Sequence, residues 1–177
     1  MRDVWPAALA AAFSALRGRS IEAWQGVEMS VRGGDEGVPE YATEPCLQLF
    51  LLEMVCASGP AVTIGTCQDD LGFGLRAEPG TIRAGDDWGR GFRRRTLTEL
   101  PTGLVQDVEV YRDGDVLAEV RIRFAERELL LMAGESDEGW AGELTWRRLD
   151  ESVLVFTDPG EAERVSWMPS RGPLHRM

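Results

Sequence analysis

Residues 105–133 read VQDVEVYRDGDVLAEVRIRFAERELLLMA, three apolar runs separated by two charged breaks. In the middle run Ala118, Val120, Ile122 and Phe124 alternate with Glu119, Arg121 and Arg123. Successive side chains of a strand point to opposite faces, so this spacing predicts a β-strand with one apolar face. Val108 and Val110 join that face if Arg112 pairs with Val116, which makes Asp113-Gly114-Asp115 a three-residue loop. A one-residue slip would turn both valines to the other side. With Glu126-Arg127 as the next turn, Phe124 faces Leu129 and Ile122 faces Leu131, and the apolar faces agree again. The stretch is an antiparallel meander.

Working outward, Leu144 to Arg148 and Val153 to Phe156 read as two further strands, so this meander covers about 104–156. Upstream, Ile21 to Val31 is a broken alternation with Gly26 as its bulge. Cys46 to Val55 is almost continuously apolar, as in a central strand buried on both faces. Val62 to Thr66 and Gly72 to Ala77 complete a first meander over about 20–77. Ile64-Gly65 followed by Gln68-Asp69-Asp70 resembles Ala133-Gly134 followed by Asp137-Glu138, a pattern-level sign of internal duplication. Residues of about 78–98, rich in Gly and Arg, read as an irregular loop.

At the N-terminus Asp3 can cap, Pro6 is tolerated in a first turn, and Leu9, Phe13 and Leu16 share one face. A helix over about 6–16, ended by Gly18, follows from this. Asp158-Pro159 opens a short helical turn, and about 168–177 is a tail. The expected fold is one mainly β domain over 1–177. Its two antiparallel β-meanders form a sandwich or a partly closed barrel, with the N-terminal α-helix packed on it.

Composition narrows the chemistry. The chain has 177 residues and a formal charge of −11, and all 19 of its basic residues are Arg. Without Lys there is no Schiff base, no phosphate-loop lysine and no lysine general base. The single histidine, His175, lies in the tail, so a His-centred triad would have to be built there. Residues 1–88 carry 13 acids and 6 arginines, and residues 89–177 carry 17 and 13, so the acid excess is spread over both halves. Such a balance disfavours nucleic acid and anionic membrane as partners. No apolar run approaches the ~18 residues a membrane span needs. Asp3 and Pro6 make the first residues unlike a signal peptide. Cys46, Cys56 and Cys67 are odd in number, form no CxxC, and do not meet if Ser58-Gly59-Pro60 is a turn with Cys56 opposite Val62. These features fit reduced thiols and a cytoplasmic protein.

Three groups of residues stand out. Arg90, Arg93, Arg94 and Arg95 in the Gly-rich segment could clamp a carboxylate or phosphate, or pair with the protein's own acids. Glu135, Asp137 and Glu138, with Glu143, Asp150 and Glu151, form an acidic strand edge. It suits a hard cation or acid–base work, or is simply solvated, and it lacks EF-hand spacing. Trp88 and Trp140, flanked by Gly, Asp and Glu, read as partner anchors or as plugs for their own loops. Neither a catalytic set nor a metal or cofactor signature emerges. The reading that fits best is an acidic cytosolic protein-binding or inhibitor module of the immunity or antitoxin kind, with a basic protein as its partner. Two others compete: a small-ligand β-barrel with an aromatic pocket and an Arg, and a carboxylate-based metal-dependent enzyme.

Overall fold

A computed structural model of the chain describes residues 4–29, 45–68, 72–82, 91–138 and 141–177, apart from the side chains of Val4, Trp5 and Glu138. The first half supplies α1 (Val4–Ser14), β1 (Ser20–Met29), β2 (Cys46–Cys56), β3 (Val62–Gln68) and β4 (Phe73–Pro79). Then come β5 (Phe92–Thr96) and β6 (Gly103–Leu104). The second half supplies β7 (Asp107–Asp113), β8 (Val116–Arg123), β9 (Glu128–Glu138) and β10 (Leu144–Phe156). After α2 (Pro159–Ala162) the chain adds β11 (Trp167–Met168) and β12 (His175–Arg176).

Both β1–β4 and β7–β10 are antiparallel meanders, as the alternation predicts. They join through β2 and β10, from Leu49 opposite Val153 to Cys46 opposite Phe156. Farther along the same edge of β2, Leu52 to Met54 pair with β3. The sheet therefore forks at Phe50-Leu51. The result is a mainly β protein, its antiparallel sheet curled into a half-barrel behind a short N-terminal helix. The join links the second strand of one meander to the fourth of the other, and this topology does not by itself establish a duplication.

The concave face carries the main core, with Trp24, Leu49, Leu52, Ile64, Val120 and Leu131 among its buried residues. α1 closes it over β4, β7 and β8, burying Phe13 and Leu16. The helix starts at Val4, with Pro6 in its first turn, and ends at Ser14 rather than reaching residue 16. Its last turn tightens, Leu16 N–H donating to Phe13 O at 3.0 Å, which still delivers Leu16 to the core. Gly18 then takes φ +82° and donates to Val105 O at 2.9 Å.

A second, smaller core lies on the convex face. Leu130, Met132, Trp146, Leu154 and Phe156 are covered there by Ala162 and Trp167. The Trp167 ring meets Trp146 and Phe156 edge-on at 5.8 and 6.2 Å. This explains why 129–133 is apolar at every position: Leu129, Leu131 and Ala133 serve one core, Leu130 and Met132 the other. α2 begins as its sequence predicts, Asp158 Oδ1 accepting from Gly160 N–H at 2.8 Å. The C-terminal residues join the sheet: β12 pairs with β7, and β11 runs parallel beside β10.

Several registers differ in ways that preserve the faces. The β7–β8 hairpin closes through Gly114-Asp115, with Asp113 opposite Val116, rather than through three residues. A bulge between Tyr111 and Arg112 cancels the parity change, and Val110 meets Val120. At β8–β9, Ile122 faces Leu129, a shift of two residues that leaves every side chain on its side. The β2–β3 hairpin shifts likewise, Met54 facing Val62, and Cys46, Cys56 and Cys67 are not joined in disulfides. Gly26 is not a bulge; the β1–β2 irregularities fall between Ile21 and Ala23 and between Val27 and Glu28. Gly26 instead lets Leu97 approach, since a Cβ there would lie 2.8 Å from Leu97 Cδ1.

Candidate functional site

Residues 92–96 are not an irregular loop. They form the edge strand β5, with Arg93 opposite Glu28 and Arg95 opposite Gly26. No apolar alternation announces this strand, because its inward arginines cover a carboxylate instead of hydrocarbon. Glu28 is buried, its Oε1 accepting from Arg93 Nε at 2.6 Å and Arg95 Nε at 2.7 Å. Arg95 also grips Glu99 with both terminal nitrogens, at 2.6 and 3.2 Å. Burial would raise the Glu99 carboxyl, but the Arg95 contact holds it below its ordinary value. On the opposite face Arg94 donates to Ile82 O at 2.7 Å and lies 3.4 Å from Glu53, whose Oε2 accepts from Ile82 N–H. All three guanidiniums thus have partners within the chain. Arg90 and Trp88 lie outside the described residues, as do Trp140 and the side chain of Glu138.

The acidic edge is assembled by a distorted strand. The two strands expected over 144–148 and 153–156 are one, β10, interrupted by a bulge: Arg148 faces Gly134 and Val153 faces Ala133. The four residues between are extruded. Leu149 adopts φ +58°, a left-handed conformation that costs a branched side chain about 1–3 kcal/mol. Gly72 accommodates it, since a Cβ at Gly72 would lie 3.1 Å from Leu149 O. Thr66 Oγ1 fixes the bulge from β3, donating to Glu151 O at 2.5 Å.

This bulge sets Asp150 and Glu151 near Glu135 of β9. Arg147, directly across from Glu135, pairs instead with Asp137 at 3.0 Å. Glu135 thus feels three other carboxylates, with Arg147 opposing them. Burial raises the Glu135 carboxyl to about 7, helped by Asp137, Asp150 and Glu151 and opposed by Arg147. Glu135 and Glu151 line a cleft of about 70 Å³ with Met29, Gln48, Phe50, Phe92 and Ser152. Phe50 and Phe92 meet edge-on at 5.7 Å and 60°. Met29 and Phe50 are exposed, at 42 and 43%. The floor is held by Gln48, whose Oε1 accepts from Ser136 Oγ at 2.7 Å and Ser136 N–H at 3.0 Å.

Glu135 gives a pH signature. Its folded carboxyl holds a proton up to about 7, against an ordinary value of 4.5. The folded state then binds more protons between these values, so stability falls as pH rises from 4.5 through 7. Glu135→Gln, which mimics the protonated form, should match the parent at pH 4.5 and exceed it at pH 8. Urea midpoints across that range check this, and parallel pH profiles for the two proteins would contradict it.

Sequence reading missed the aromatic lip, since Phe50 sits in an apolar run that reads as core and Phe92 in a segment that reads as loop. It also missed a buried polar cluster on the convex face. Glu119, expected on the polar side of β8, is 1% exposed because the C-terminal segment crosses it. Arg171 clamps Glu119 through Nε at 3.0 Å and Nη2 at 2.6 Å, and Arg171 also pairs with Glu163. Arg148, buried as well, donates to Asp113 at 3.2 Å. Its Nη2 lies 3.7 Å from Glu119 and makes no hydrogen bond.

Among the described residues, no group of three His, Cys, Asp or Glu could hold a metal ion, and no helix is long and apolar enough to cross a membrane. Comparisons with family models, with curated proteins and with solved structures found no match.

Proposed function

We propose that this protein is an acidic binding module of the cytoplasm that acts by holding a basic protein partner. The observation that carries the reading is how charge is distributed around the fork. Arg93, Arg94 and Arg95 have partners within the chain, while Glu135, Asp137, Asp150 and Glu151 gather beside exposed Met29 and Phe50, and among the described residues the ion pair at this edge is Arg147 with Asp137. Apolar anchors ringed by charge are a common composition for an interface centre and rim. The small-ligand alternative has less support. A cleft of about 70 Å³ falls well short of the ~300–1,000 Å³ of cofactor and ligand sites, and no arginine among those described faces it.

Electrostatic recognition of this kind is screened by salt. Immobilised protein, exposed at low ionic strength to an extract of the cells it comes from, should retain a basic protein. Raising the salt to about 0.5 M, where the Debye length falls to a few ångströms, should release it. An eluate containing no basic protein, or one indifferent to salt, overturns the proposal.

A further inference from the structure

The cleft at the fork has one side of aromatic edge and one of carboxylate. We infer that it is a guanidinium socket, taking a single arginine side chain of the partner between Phe50–Phe92 and Glu135–Glu151. This deepens the reading above and rests on it for the partner, but its chemistry can be tested alone. Size comes first: about 70 Å³ admits the tip of one side chain and little more. The walls then select which tip. A guanidinium is planar, stacks on aromatic rings while its edge donates to carboxylates, and sheds water more readily than an ammonium. Phe50 and Phe92, fixed edge-on at 5.7 Å, offer the ring surface. Glu135 and Glu151, from two different strands, offer acceptors on the other side.

Among the described residues, the chain's own arginines leave this role open. Arg147 is opposite Glu135 in the ladder, yet its guanidinium is on Asp137. Arg93 and Arg95 extend from the strand that bears Phe92, yet both turn to Glu28. A cation entering the cleft would meet a half-buried carboxylate crowded by three others, and relief of that repulsion favours binding. Burial first, and the neighbouring carboxylates second, keep the proton on Glu135 into the neutral range, so arginine entry should expel a proton.

The test is a ¹H–¹⁵N titration of the whole chain with acetyl-arginine amide and, separately, acetyl-lysine amide. The arginine probe should move the signals of Phe50, Phe92, Glu135 and Ser152, with an affinity several-fold above the lysine probe. Glu135→Gln should weaken it by about tenfold, the value of one charge-assisted contact. That variant should gain stability at pH 8, and the urea midpoints above check that it is folded, so weakened binding would not reflect unfolding. Phe92→Ala, on an edge strand, should weaken the arginine probe and narrow its lead over lysine. At pH 6.5, binding heats in buffers of different ionisation enthalpy should show proton release. Shifts elsewhere on the surface, or equal response to both probes, overturn the socket. A basic protein retained equally well by Glu135→Gln and Phe92→Ala would also overturn it, and would leave the proposed function standing. Arginine binding at the cleft with no basic protein retained would do the reverse.

Discussion

Glu119→Ala is expected to lower the unfolding free energy by about 3–5 kcal/mol, the usual cost of breaking a buried ion pair from one side. The carboxylate is 1% exposed and bidentate to Arg171, with Arg148 beside it. Removing it leaves the buried Arg148 with Asp113 at Nη1, while Nη2, which makes no hydrogen bond, loses the carboxylate 3.7 Å away. It also removes one tie between the C-terminal segment and the sheet, since Arg171 would keep only Glu163 and the segment would rest on the β11–β10 and β12–β7 pairings. Chemical denaturation reads the loss directly, and hydrogen exchange should show residues 167–177 opening first. Replacing the cluster together, Glu119→Leu with Arg148→Met and Arg171→Met, should recover much of the loss, because paired buried charges cost desolvation that hydrocarbon does not. A loss below about 1 kcal/mol for Glu119→Ala would place the pair among ordinary surface contacts and contradict its burial.

The same residue shows where sequence reading stops. Alternation puts Glu119, Arg121 and Arg123 on one side of β8, and the structure agrees. What alternation cannot say is whether that side meets water or another part of the chain. Here a segment 52 residues downstream crosses it, and a polar face becomes a second interior. Faces were legible throughout, even where registers moved, because a shift of two residues or a compensating bulge preserves the pairing of apolar with apolar. The strand β5 was not legible, since Arg93 and Arg95 replace the expected hydrocarbon with a salt link to Glu28. The acidic edge was legible as composition, but not the bulge at Leu149 that gathers it. The cleft was not legible at all: its aromatic lip depends on the fork in the sheet, a long-range pairing with no local signal.

Trp24→Ala should be as damaging as the loss of Glu119, about 3–5 kcal/mol, and for a different reason. The indole is fully buried between the meanders, so truncation opens a cavity that surrounding strands can fill only in part. Its Nε1–H also donates to Pro101 O at 2.7 Å, and Leu97 N–H returns a bond to Trp24 O at 3.0 Å. These two bonds tie the segment after β5 to β1. Trp24→Phe separates the contributions: it keeps most of the apolar contact and gives up the bond to Pro101, for an expected loss of about 1–3 kcal/mol. The two substitutions should also differ at a distance. β1 carries Trp24 in the core and Met29 at the cleft, and β5 brings Phe92 to the same lip through its pairing with β1. If Trp24 sets the alignment of these two strands, Trp24→Phe should shift the resonances of Phe92 and Met29 and weaken the arginine probe while the protein remains folded. If those signals stay fixed while stability falls, the core and the cleft are independent, and the lip is positioned by the β1–β5 ladder and the Glu28 ion pairs alone.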